Sequence, residues 1–98
     1  MPKYVLLYMG GTMPDTPEEG ERVNAAWLSW MEAVGPHLVD GGSPLADNFA
    51  IGATAPSSGV NGYSIIEADT EAALRSLLVD HPHVASAGRV EVHEVASM

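Results

Sequence analysis

The first predicted strand is the feature that most restricts how this chain can fold. The segment KYVLLYM, residues 3–9, is rich in strand-forming residues and lies between Pro2 and Gly10. Alternate side chains of a strand point to opposite faces. Here both faces are apolar, with Tyr4, Leu6 and Tyr8 on one face and Val5, Leu7 and Met9 on the other. A sheet with one solvated face alternates apolar with polar residues, so this strand has to be covered on both sides.

The remaining chain predicts a β-α-β-β-α-β order within one domain, residues 1–98. A helix begins at Thr16 and Pro17 and continues to about Val34 with apolar residues at helical spacing. HLVDGG is a short second strand, GYSIIEA a third and RVEVHEV the last, and a second helix covers residues 71–79. This order is the split βαβ pattern of a ferredoxin-like α+β fold, with both helices on one face of an antiparallel sheet.

Two segments of the predicted order of strands and helices are less regular. The connection SPLADNFAIGATAPSSGVNG is rich in turn-forming residues, and we predict a long hairpin loop with one further strand at residues 49–53. The second helix is predicted to end at Pro82, because proline interrupts a helix.

The predicted fold leaves one face of the sheet uncovered, although the first strand is apolar on that face as well. An exposed apolar sheet face marks an interface, so we predict a symmetric homodimer in which two sheets pack face to face. Glu91 and His93 share one face of the last strand. Against a partner subunit they would make assembly sensitive to pH, and otherwise they are solvated residues of an exposed edge.

The composition excludes several classes of partner and cofactor. The formal net charge is −9, with four Lys and Arg residues against thirteen Asp and Glu residues. Binding of nucleic acid or of an anionic membrane requires a basic surface, so neither partner is predicted. The absence of cysteine excludes disulfides and thiolate chemistry and fits a cytoplasmic location. No targeting segment, membrane span, P-loop or dinucleotide-binding motif is recognised, and no cofactor is predicted.

The stretch VDHPHVASAG contains the main candidates for chemistry. Asp80, His81 and His83 lie within four residues, and a carboxylate that orients an imidazole is a common general base. We predict catalytic roles for Asp80 and His81 and a substrate contact for His83. The alternative is a simple helix stop, since histidine followed by proline is typical of a helix end. The two histidines could also share a metal ion, but no dense ligand cluster supports this, and no metal is predicted.

Asp40, Gly42 and Trp27 are further candidates. Asp40 precedes two glycines and is predicted to act as an acid or base on the rim of a pocket, with Gly42 contacting the substrate. The alternative is a hairpin bulge with a solvated aspartate. Trp27 lies on the apolar stripe of the first helix, where it either packs in the core or forms an aromatic floor for a flat substrate.

The sequence resembles the YCII-related family, small proteins of the dimeric α/β-barrel type. The resemblance covers nearly the whole chain and depends on YVLLYM, WLSWMEAVGPHLVDGGSPL, GYSIIEADTEAA and HPHVASAGRVEVHEV in that order. It implies a ferredoxin-like subunit that dimerises through its sheet, and at least one relative is a dehydrochlorinase that acts on a chlorinated aromatic. The family's enzymatic activity is attributed to a helix histidine and to an aspartate after the second helix. In this chain Asn24 and His81 occupy those positions.

Two hypotheses for function follow. The first is a small-molecule enzyme of lyase or isomerase type, with acid/base chemistry in a pocket near the dimer sheet. In this hypothesis Asn24 orients the substrate, and His81 or Asp80 moves a proton. The second is a non-catalytic homodimer that binds a small ligand or serves a structural role. The missing family histidine favours the second hypothesis, and the cluster around His81 favours the first.

Overall fold

A computed structural model describes residues 1–52 and 57–96 of the chain. In this part, four strands form one antiparallel sheet in the order β2-β3-β1-β4, and three helices connect them. The strands are β1 (Lys3–Gly10), β2 (Leu38–Pro44), β3 (Val60–Glu67) and β4 (Gly88–Glu94). The helices are α1 (Pro17–Val34), α2 (Glu71–Leu77) and α3 (Pro82–Ala85), and a short 3-10 turn, Gly35–His37, leads from α1 to β2. This small α+β architecture is compatible with the predicted ferredoxin-like fold.

Helix α1 begins and ends where its sequence signals predict. The side chain of Thr16 accepts a hydrogen bond from the Glu19 N–H at 3.1 Å, and Pro17 occupies the first helical position. Gly35 follows the last residue of the helix with φ 54°, a left-handed conformation that glycine adopts at little cost. The cap, the proline and the glycine therefore define the same helix that the apolar spacing predicts.

The segment after α2 differs from the prediction. Helix α2 already ends at Leu77, and a turn with Asp80 at φ 58° follows. Pro82 is the first residue of α3, a position that suits proline because its missing N–H would have no partner in a first helical turn. His81 caps α3, since its Nδ1 accepts the His83 N–H at 3.0 Å. The histidine-proline pair therefore starts a helix rather than ending one.

The two faces of β1 differ in burial, although both are apolar. Tyr4, Leu6 and Tyr8 belong to the buried core, together with Trp30, Val34, Ile66, Ala68 and Leu74. The side chains of the opposite face remain partly exposed in β1 and in the neighbouring β3, namely Val5, Leu7, Met9, Tyr63 and Ile65. The smallest dimension of the chain is 18 Å, which accommodates one helix layer over one sheet layer.

The loop between β2 and β3 does not contain the predicted strand as far as it is described. Residues 49–52 have no strand structure, and Ala53 lies outside the described residues. Phe49 and Ile51 are 84% and 90% exposed. Strand β2 pairs with β3 only and forms one edge of the sheet, and residues 49–52 do not pair with its free side. In the described part of the chain, no helix has the length and apolar character needed to cross a membrane.

Candidate active site

A cleft of about 660 Å³ lies between α1 and the sheet. Its walls come from the end of β1 and the loop after it, from α1, from β2, from the start of β3, and from the region of α3. The four residues predicted to contact a substrate all line this cleft: Asn24, Trp27, Gly42 and His83. The three residues predicted to be catalytic do not line it: Asp40, Asp80 and His81.

His81 lies directly behind the wall of the cleft. It is 1% exposed and packs against aromatic rings, with ring centroids 4.4 Å from Trp30 and 5.0 Å from Trp27. Its Nδ1 accepts the backbone N–H of His83, so this nitrogen carries no proton. Burial, with a smaller effect of the neighbouring His83, lowers the pKa of His81 to about 4. At neutral pH the ring is therefore uncharged, with its proton on Nε2.

A chain of hydrogen bonds runs from His81 to β2. His81 Nε2 lies 3.2 Å from Tyr8 Oη and donates to it. Tyr8 Oη donates to Ser64 Oγ at 2.8 Å, and Ser64 Oγ donates to the carbonyl oxygen of Gly41 at 2.9 Å. The direction of each bond in this chain is fixed. The backbone N–H of His83, which binds His81 Nδ1, can only donate, and the carbonyl of Gly41 at the other end can only accept. This relay joins α3, β1, β3 and β2 behind the cleft.

Tyr8, Ser64 and Gly41 of this relay also line the cleft. Burial raises the pKa of Tyr8 to about 12, although its hydrogen bond with Ser64 acts in the opposite direction. The phenol therefore stays protonated at neutral pH. Within the described residues, no buried side-chain nitrogen or oxygen is left without a partner.

His83 is held differently from His81. Its Nε2 donates to the Met9 carbonyl oxygen at 2.8 Å, which leaves Nδ1 of the neutral ring as an acceptor. Among residues 1–52 and 57–96, none forms a hydrogen bond with this Nδ1. The ring packs against Gly88, where an added Cβ would overlap it, and against Gly11, where a Cβ would lie 3.0 Å from Cε1. A backbone-anchored imidazole with one free nitrogen has the geometry of a general base.

The two candidate carboxylates lie elsewhere. Asp40 is exposed, and its Oδ1 accepts the Gly42 N–H at 2.8 Å within an irregular part of β2. Gly42 has φ 79°, and a Cβ there would overlap the Tyr63 carbonyl, so the position requires glycine. This arrangement corresponds to the bulge alternative for Asp40. Asp80 is exposed in the turn after α2.

The position of Trp27 is compatible with both of the roles that the sequence left open. It is half-buried, lies edge-on to Tyr8 with ring centroids 5.4 Å apart, and also lines the cleft. Sequence reasoning missed Tyr8 and Ser64 as parts of the site. The available signal was Ser64, a hydroxyl at an inward position of β3 between Gly62 and Ile66.

The described residues contain no group of three or more His, Asp or Glu side chains arranged to hold a metal ion. His81 and His83 do not converge on a common point, because Nδ1 of His81 binds the backbone and Nε2 of His83 binds Met9. The site therefore consists of hydrogen-bonding and aromatic groups.

Comparisons with known proteins extend the fold assignment. No family model matches the sequence, and no curated protein matches it. The structure is similar to that of 5-chloro-2-hydroxyhydroquinone dehydrochlorinase (TftG) from Burkholderia phenoliruptrix AC1100, solved in complex with 2,5-dihydroxybenzoquinone. The TM-score is 0.59, with 16% sequence identity over 98% of this chain and 94% of that chain. This likeness supports the ferredoxin-like α+β fold.

Proposed function

We propose that this chain is a small-molecule enzyme of lyase or isomerase type that performs acid/base chemistry in the cleft. The observation that supports the proposal most directly is His83, which lines the cleft, has its Nε2 anchored on Met9, and has no hydrogen-bond partner for its Nδ1 among the described residues. An imidazole nitrogen with a free lone pair can accept a proton from a bound ligand.

In the proposed reaction, Nδ1 of His83 takes a proton from the substrate, and the electron pair left behind forms a new π bond. In an elimination, a leaving group departs with its own electron pair. In an isomerisation, the imidazolium returns the proton to a different atom of the substrate. Both reactions balance without an oxidant, a reductant or a second substrate.

The roles of the predicted residues follow from their places around the cleft. Asn24 and Trp27 contact the substrate, as the sequence predicts, and Gly42 forms part of the wall of the cleft. The sequence predicts that His81 or Asp80 transfers the proton, but we assign this step to His83. His81 has no free ring nitrogen, and Asp80 lies outside the cleft.

The structural neighbour supports a flat, ring-shaped substrate. It is an enzyme named for dehydrochlorination of a hydroxylated ring, and it was solved with a quinone bound. In this chain Tyr8 and Trp27 supply aromatic surface to the cleft, and flat rings pack well on such surfaces. A relation to the YCII-type proteins, which the sequence resemblance implies, is part of the same proposal.

We further propose that the protein is a homodimer that pairs through the open face of its sheet. This open face is formed by Val5, Leu7, Met9, Tyr63 and Ile65, which stay partly exposed in one subunit. Two sheets that pack face to face bury such residues in a common layer about 10 Å thick. Glu91 and His93, paired at 2.6 Å, border this face on β4.

The enzyme hypothesis can be tested with a panel of hydroxylated and chlorinated ring compounds, including 5-chloro-2-hydroxyhydroquinone. Chloride release and incorporation of deuterium from heavy water would be measured for the wild type and for His83→Gln. Glutamine can still donate to the Met9 carbonyl but has no basic nitrogen. We expect its rate to fall by about 10²–10⁴-fold, the usual contribution of a general base.

The matched control is His37→Gln, because His37 is also anchored on a backbone carbonyl, that of Glu67 at 2.9 Å, but lies outside the cleft. Its rate should equal that of the wild type. Equal rates for wild type and His83→Gln would overturn the role of His83. A wild type that binds the panel compounds but converts none of them would support the non-catalytic alternative.

A further inference from the structure

A second pocket, separate from the cleft, lies between α2 and the end of β4. Its volume is about 390 Å³, and Leu74, Leu78 and Val92 give it an apolar wall. It shares no lining residue with the cleft. Tyr4 lines this pocket and Tyr8 lines the cleft, and the fully buried Leu6 lies between them on β1. Core packing therefore separates the two sites.

Tyr4 brings a hydroxyl group to the second pocket. The residue is 9% exposed and belongs to the core, yet no described residue forms a hydrogen bond with its Oη. In the described part of the chain, every fully buried side-chain nitrogen or oxygen has a partner, so Oη belongs to the small accessible part of the side chain, at the pocket. A hydroxyl in this position can accept a hydrogen bond from a ligand.

The charged groups around this hydroxyl are mostly negative. Glu94 lies directly opposite Tyr4 in the pairing of β1 with β4, so both side chains leave the sheet on the same face, with Cβ atoms about 4.5–5.5 Å apart. Glu71 lies 3.6 Å from Arg75, whereas no cation within residues 1–52 and 57–96 forms an ion pair with Glu94. The pocket therefore has one negative charge without a counterion.

The same charges act on Tyr4. Burial raises the pKa of Tyr4, and the carboxylates of Glu94 and Glu71 act in the same direction, so the phenol stays protonated at neutral pH. A negative potential that disfavours a phenolate favours a cation at the same place. The apolar wall favours a ligand with a hydrocarbon body.

We propose that the second pocket binds a small primary amine in its ammonium form. An ammonium group has three donors and no acceptor, and here it donates to the Glu94 carboxylate and to Tyr4 Oη. The alkyl chain of the ligand packs against Leu74 and Val92. This inference goes beyond the proposed function and does not rest on it, because the two sites have no residue in common.

The test compares hexylamine, n-hexanol and hexanoate, which have similar alkyl chains and differ in the charge of the polar group. Each probe would be added to the isotopically labelled wild-type protein at neutral pH and low ionic strength, and the backbone amide NMR signals would be followed. We expect hexylammonium to shift the signals of Tyr4, Leu74 and Glu94. It should bind at least about fivefold more tightly than either other probe.

A matched pair of variants makes the test specific to the pocket. Glu94→Gln and Glu21→Gln remove the same charge, but Glu21 is exposed on α1 and lines neither site. Glu94→Gln should weaken hexylammonium about fivefold and leave hexanol unchanged, and Glu21→Gln should change neither affinity. Tyr4→Phe keeps the ring in the core and should weaken hexylammonium about threefold. Circular dichroism would show that each variant is folded.

Equal affinity for hexylammonium and hexanol would overturn the inference, as would a lack of binding at millimolar hexylammonium. Signal shifts confined to cleft residues such as Asn24 and Trp27 would also overturn it. Equal weakening by Glu94→Gln and Glu21→Gln would do the same, since it would indicate a general attraction of cations to an acidic chain. None of these outcomes affects the role proposed for His83, which the turnover experiment tests separately.

Discussion

His81 and His83 have the same side chain, lie two residues apart, and occupy opposite environments. His81 is buried, caps α3 with one ring nitrogen and binds Tyr8 with the other. His83 lies in the first turn of α3, where its ring reaches the wall of the cleft and keeps one nitrogen free. The start of a helix between the two residues therefore separates a structural histidine from the proposed base.

Burial of neutral His81 should make folding stability depend on pH. Its pKa is about 4 in the folded protein against an ordinary value of 6.5, so below about pH 6.5 the unfolded chain binds a proton that the folded chain does not. Stability from this source is complete above about pH 6.5 and is lost as the pH falls towards about 4. We expect a loss of about 2 kcal/mol between pH 7 and pH 5 in urea unfolding.

His81→Asn serves as the comparison for this prediction, since asparagine can still accept the His83 N–H as a helix cap but does not titrate. Its unfolding free energy should be lower at pH 7 and should change less between pH 7 and pH 5. An identical pH dependence in the two proteins would contradict the account of His81.

At the scale of elements, glycine positions determine how α3 packs on the sheet. Gly88 begins β4, and a Cβ there would overlap the ring of His83. We expect Gly88→Ala to displace the ring from the Met9 carbonyl and to lower the free energy of unfolding by about 1–3 kcal/mol. The control is Gly20→Ala, within α1 and with nothing within 4 Å of the added Cβ, which should raise stability by about 0.5–1 kcal/mol.

Urea unfolding of both glycine variants checks this prediction directly. If Gly88→Ala were as stable as the wild type and kept the NMR signals of His83 unchanged, the tight contact between α3 and β4 would be refuted. The Gly20 variant shows whether the measurement resolves effects of this size.

The elements that local signals define are the ones that the sequence predicted. Strand β1 follows from its apolar run, and α1 follows from its threonine cap, proline and terminal glycine. Helix α3 could not be foreseen, because it has only four residues and depends on the His81 cap and on packing against β4. The relay was also inaccessible, since Tyr8 and Ser64 are 56 residues apart and meet only through strand pairing.

At the scale of the whole molecule, the two faces of the sheet have different roles. The face covered by the helices contributes to the core and to the floor of the cleft. The opposite face is the open face, whose apolar side chains stay partly exposed. Small domains bury a modest fraction of their surface, so covering this face with a second copy would add apolar burial that one subunit lacks. The proposed homodimer therefore stabilises the sheet that supports the cleft.

A single charge on the open face should separate the subunits. Leu7→Glu places a carboxylate in the middle of the proposed interface, where burial of an unpaired charge is strongly unfavourable. The control is Leu28→Glu on α1, where the leucine is already 67% exposed. We expect the first variant to be monomeric and the second to remain dimeric, with circular dichroism showing whether each is folded.

The most direct test of the apolar sheet face as an interface is the mass of the wild-type protein, measured by sedimentation equilibrium at micromolar concentration. The account predicts the mass of two chains. It also predicts that dilution dissociates the dimer and that the separated chains are less stable. A well-folded single chain at that concentration, with its sheet face open to water, would contradict it.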